Sequence, residues 1–124
     1  MNRNMSAYQI KDWDESFEIA QSRQYKRLHW VAVPNKHDGK GYRRVMRHPK
    51  CGDIFAAWIL IVQVASRQEK RGLLADKDGP LTAEDLADKT GFPQEKFDLA
   101  FEVLSSPKIG WLEQVNNERL TADS

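Results

Sequence analysis

The stretch that decides the fold is Thr82-Ala83-Glu84-Asp85-Leu86-Ala87-Asp88-Lys89-Thr90-Gly91-Phe92-Pro93. A threonine followed three positions later by an acid, just ahead of apolar positions, resembles a capping box, in which each side chain satisfies a backbone N–H at a helix start. The acid here is Asp85 rather than the commoner glutamate. Leu86 and Ala87 give the helix its apolar positions, and Thr90-Gly91 ends it. Pro93 suits the first turn of a second helix, where its missing N–H would have found no partner in any case. That helix carries Phe97, Ala100 (or Phe101) and Leu104 on one face and stops at Ser106-Pro107.

Two helices joined by a tight glycine turn form a helix-turn-helix unit. Upstream lies the longest apolar run, Ile54-Phe55-Ala56-Ala57-Trp58-Ile59-Leu60-Ile61-Val62. It is too short to span a bilayer, and a helix apolar nearly all round belongs at the centre of a core. Asp53 is its expected cap, and the helix is expected to run to about Lys70. Leu73-Leu74-Ala75 then reads as a short strand and residues 76–80 as a turn. Downstream, residues 109–115 and Arg119-Leu120-Thr121 read as two strands around Asn116-Asn117. Helix, strand, helix, helix, hairpin predicts an α+β, mostly helical chain: a winged helix-turn-helix over residues 52–124. Residues 1–51 are expected to form a basic helix/strand extension packed on it, the whole being one globular unit. Within that extension, residues 16–28 read as a helix, 29–33 as a strand or extended segment, 35–41 as a turn-rich loop and 42–48 as a short helix stopped by Pro49.

With 124 residues, 40% hydrophobic and 30% charged, the chain suits one soluble domain. A single cysteine, Cys51, excludes an internal disulfide framework, and no apolar stretch follows Met1-Asn2-Arg3-Asn4-Met5-Ser6. A cytoplasmic location without membrane association is expected. The net charge of +1 conceals a strong asymmetry: residues 21–71 hold twelve Lys/Arg against three acids, whereas residues 72–124 hold five against eleven. Such segregation makes a local anion-attracting face on a nearly neutral molecule, unless the two zones neutralise each other in the fold.

The stretch from Thr82 to Phe92 and the ending Leu104-Ser105-Ser106-Pro107-Lys108-Ile109-Gly110-Trp111-Leu112-Glu113 resemble the corresponding parts of bacterial and phage winged-helix proteins. The segment from Trp30 to Gly39, ahead of a buried helix, is similar to one in the amino-terminal domains of phage replication initiators (replisome organisers). That resemblance implies the winged fold and a role in DNA replication or transcription control.

The usual DNA contact of such a fold is its second helix laid in the major groove. Here that helix has Glu95, Asp98 and Glu102 against Lys96 alone, and the first has Glu84, Asp85 and Asp88 against Lys89. Phosphate repels such a surface. The cations of the centre are the better candidates for DNA contact: Lys26, Arg27, Lys36, Lys40, Arg43, Arg44, Arg47 and Lys50, with Arg119 on the wing. They are interleaved with Tyr25, Trp30 and Tyr42, which suits phosphate contact and base stacking, although Trp30, just ahead of Val31 and Val33, reads more simply as a packed residue. The alternative is a protein-docking or dimerisation module, with Glu84, Asp88, Glu95, Asp98 and Glu102 facing a host or phage partner or the basic centre of a second copy. His48 and Cys51, with His37 upstream, lack the four-ligand spacing of a zinc site. No phosphate-binding glycine loop or nucleophile motif is present. No enzyme activity, metal, cofactor or small-molecule substrate is expected.

Overall fold

The computed structural model describes residues 6–19, 21–25, 28–34 and 38–116. In chain order these form β1 (Ala7–Ile10), α1 (Trp13–Ser16), a 3-10 turn (Ser22–Gln24), α2 (Lys40–Met46), α3 (Cys51–Ser66), β2 (Ala75–Asp76), β3 (Gly79–Pro80), α4 (Ala83–Thr90), α5 (Gln94–Leu104) and β4 (Leu112–Val115). Among the described residues the architecture is α+β: five α-helices and two small antiparallel sheets.

The amphipathic pattern decides the packing. Ile54, Ala57, Trp58, Ile61, Val62 and Ala65 of α3 are buried, and Phe97, Ala100, Phe101 and Leu104 of α5 and Leu86 of α4 join the same core. The capping box forms as the sequence indicates: the Asp85 N–H donates to Thr82 Oγ1 at 3.2 Å, and the Thr82 N–H donates to Asp85 Oδ2 at 2.8 Å. The Asp85 carboxylate also accepts from the Thr82 hydroxyl at 3.0 Å, and the Thr82 N–H and hydroxyl together hold its pKa below the ordinary value. Gly91 closes α4 in the left-handed region at φ 81°.

Several elements differ from the sequence reading. Ala7–Ile10 was not anticipated as a strand, yet it pairs antiparallel with β4, Ala7 opposite Val115 and Ile10 opposite Leu112. On its other side the Ile10 N–H donates to Gly72 O, the Leu74 N–H donates to Tyr8 O, and Gln9 faces Leu73 in a single bridge. Four residues with a glutamine among them carry too little pattern to announce a strand; backbone partners on both sides define it. Residues 73–80, read as a strand and a turn, make the tiny hairpin β2–β3. Among the described residues of 16–28, where a helix is expected, only the 3-10 turn Ser22–Gln24 forms, α1 having ended at Ser16. Ser22 Oγ accepts from the Ile19 N–H and donates to Glu18, and such side-chain bonds compete with helical ones. Residues 29–33 form no strand; Trp30 is 48% and Val33 46% exposed. Lys50, not Asp53, occupies the cap position of α3, and that helix ends at Ser66 rather than near Lys70. Strand β4 begins only at Leu112, because residues 106–110 turn through Gly110 at φ 67°. The expected strand 119–121 and its wing turn beyond Asn116 lie outside the described residues.

Candidate nucleic-acid interface

Helix α2 is held to the body by its inner side. Val45 is fully buried, and Tyr42 rests against Phe55 and Trp111 with ring centroids 5.7 and 4.7 Å apart. Burial also raises the Tyr42 phenol above its ordinary pKa. Gly41 lets Trp111 approach, since a Cβ there would stand 2.6 Å from the indole Nε1. With that side fixed inward, Lys40, Arg43, Arg44 and Arg47 fall at positions three and four apart, and all four are exposed. Lys50, after the helix, is exposed as well. Arg43 and Arg44 sit in the last turn, where the negative end of the helix dipole favours cations. Among the described residues none of these five forms an ion pair. The Arg44 guanidinium instead donates to the carbonyl of Lys108, which brings a further exposed cation to the group. Sequence reading passed over Lys108, an isolated lysine 64 positions away along the chain. Lys26, Arg27, Lys36 and Arg119 lie outside the described residues.

Opposite in character is the outer surface of the two carboxy-terminal helices. Glu84 and Asp88 on α4, and Glu95, Asp98 and Glu102 on α5, are all exposed. Their spacings of three and four residues put each set on one helix face. Lys96, the sole cation of α5, is drawn aside: its Nζ lies 3.0 Å from Asp53 Oδ2 and 5.9 Å from the centroid of the Phe92 ring. The outward face of α5 is therefore acidic without compensation from its own helix.

A buried polar clasp fixes the amino-terminal segment. The Glu18 carboxylate accepts from Trp13 Nε1 at 2.5 Å and from Ser22 Oγ at 2.6 Å, and it pairs with Arg71 Nε at 2.9 Å. Arg71 also donates to the carbonyls of Ser22 and Tyr25. Burial pushes the Glu18 carboxyl upward, but the Ser22 and Trp13 donors and the Arg71 and Arg23 charges outweigh it and hold the pKa below the ordinary value. His48 Nδ1 accepts from the Lys50 N–H, and Cys51 is the half-buried first residue of α3. His37 lies outside the described residues.

Two hollows flank α3. A groove of about 480 Å³ runs between residues 28–33 and Ile59, Val62, Gln63, Ser66 and Arg67, and Trp30 lines it rather than filling a core position. A second hollow, of about 300 Å³, is walled by Phe17, Tyr42, Trp58 and Trp111, with Lys11, Asp12 and Ser16 among its polar residues. None of the described helices is long and apolar enough to cross a membrane. Comparison with family models, curated proteins and solved structures returns no match.

Proposed function

We propose that the chain is a small winged-helix protein of the phage and prophage type that binds DNA through the basic face of α2, serving replication or transcription control. The observation that carries this reading is the row Lys40, Arg43, Arg44 and Arg47, exposed on one side of a helix whose other side is locked into the body, with Lys50 and Lys108 beside it. Cations so placed can displace counterions from phosphates without first breaking internal ion pairs. The winged-helix assignment is supported by the element order α3, β2, β3, α4, α5, β4 and by the capping box and left-handed glycine that frame α4. In this proposal α5 does not enter the major groove, because Glu95, Asp98 and Glu102 would face phosphate.

Electrophoretic shift at low and at physiological salt tests the reading. The triple variant Arg43→Ala/Arg44→Ala/Arg47→Ala is expected to weaken binding. It should also flatten the dependence of log K on log salt by up to about 0.9 per phosphate contact removed, roughly 2.7 in all. Unchanged binding by that variant would show the surface to be wrong. The second reading, a docking or dimerisation module, is favoured by the diversion of Lys96 to Asp53, which leaves an acidic face on α5 for a basic partner. Absence of DNA binding even at low salt, with light scattering showing a salt-sensitive dimer, would select it.

A further inference from the structure

We propose that the aromatic hollow between α1, α2, α3 and the turn before β4 receives one unstacked base of single-stranded nucleic acid, an assignment that rests on the nucleic-acid reading above. Its volume of about 300 Å³ falls at the small end of ligand sites, suited to a single base rather than an extended ligand. Tyr42, Trp58 and Trp111 supply ring surfaces around it, at mutual tilts of 58° and 42° rather than stacked on one another. Aromatic walls of this kind bind bases with little regard to sequence.

The polar groups of the wall point to the same ligand class. Trp58 is 4% exposed, yet its indole N–H has no acceptor among the described residues. A buried indole donor normally has one, and a base carbonyl or ring nitrogen would provide it. Asp12 stands on the wall as the one described non-glycine residue at positive φ, 57°, a conformation aspartate tolerates better than most. The Ser16 N–H donating to the Asp12 carbonyl and the Lys11 N–H donating to the Trp111 carbonyl hold this turn. Its carboxylate offers an acceptor for an exocyclic amine. Lys11 lines the hollow and is exposed, while Lys108, next in the chain to the lining residue Ile109, carries the Arg44 guanidinium on its carbonyl. Ring walls, the buried Trp58 donor, the exposed Asp12 carboxylate and cations at the rim match base and phosphate together. Stacked bases of a duplex cannot enter such a hollow, so the site selects single strands.

The test compares fluorescein-labelled oligothymidylate and oligoadenylate of about ten nucleotides, a usual site size, with a duplex of the same length, by anisotropy at low salt. One stacked base is worth roughly five- to 150-fold in affinity, so the wild-type protein should prefer the single strand by about tenfold. Ser16→Leu, which fills the hollow, should bring that preference toward unity while duplex binding stays; Lys11→Glu, at an exposed position, should lower single-strand affinity more than duplex affinity and serves where the first variant fails to fold. Equal wild-type affinity for the two forms, or a preference that survives both variants, overturns the assignment. If neither form binds at low salt, the nucleic-acid reading itself fails and this site falls with it.

Discussion

Replacing Arg71 by methionine removes the cationic half of the buried clasp and leaves the Glu18 carboxylate, its side chain 3% exposed, with only the Trp13 and Ser22 donors. The carbonyls of Ser22 and Tyr25 lose their guanidinium partner in the same step. Breaking a buried ion pair from one side costs about 3–5 kcal/mol. The Arg71 side chain is 15% exposed and two donors to Glu18 survive, so the lower end, about 3 kcal/mol, applies. With about 2.1 cal/mol/K of unfolding entropy per residue over 124 residues, that loss lowers Tm by roughly 11 °C. The sign of the pH dependence follows from the lowered Glu18 pKa. Its contribution is fully present above the ordinary value of 4.5 and is lost as pH falls toward the folded value. Thermal melts followed by circular dichroism between about pH 3 and pH 7 should therefore show a smaller acid-dependent loss in Arg71→Met than in the wild type. The double variant Glu18→Gln/Arg71→Met should recover part of the deficit at neutral pH, since no charge is left buried. A change in Tm of less than about 3 °C for Arg71→Met would refute the clasp as a stabilising element.

Three further substitutions probe the elements around the proposed interface. Gly41→Ala pushes a Cβ onto the Trp111 indole and should cost about 1–3 kcal/mol, with a shift in tryptophan emission; the control Gly52→Ala meets nothing within 4 Å and, inside α3, should stabilise by about 0.5–1 kcal/mol in a denaturant titration. Thr82→Ala removes the hydroxyl half of the capping box and should cost about 1 kcal/mol by urea unfolding. Alanine keeps the Thr82 backbone N–H, the larger cause of the lowered Asp85 pKa, and removes only the hydroxyl bond, so that variant should lose slightly less stability than the wild type as pH falls below 3.8.

How much was legible in the sequence depended on how far apart the interacting residues stand. Thr82, Asp85 and Gly91 act on one another within a helix and its ends, so their pattern specified α4 down to its boundaries. The apolar periodicity of residues 54–65 likewise marked the central helix. Its start was misread because Asp53, a good cap by type, lies inside the first turn and is occupied by Lys96. The described residues of 16–28 do not form the expected helix for the opposite reason: Arg71, some fifty positions on, takes the Ser22 and Tyr25 carbonyls. Trp30 looked like a packed residue ahead of two valines, but no strand forms to bury it.

Sequence by itself determined the helical pair with its acidic outer surface, the buried central helix, and the cluster of cations ahead of it, since all three follow from local periodicity and composition. The tertiary structure alone decided that Ala7–Ile10 is a strand, because its partners are at residues 72–74 and 112–115. It alone decided that Lys108 joins the α2 cations through the Arg44 contact, and that Phe17, Tyr42, Trp58 and Trp111 wall one hollow. Contacts between residues so distant in the chain have no periodicity to betray them; only chain closure around the common core brings them together.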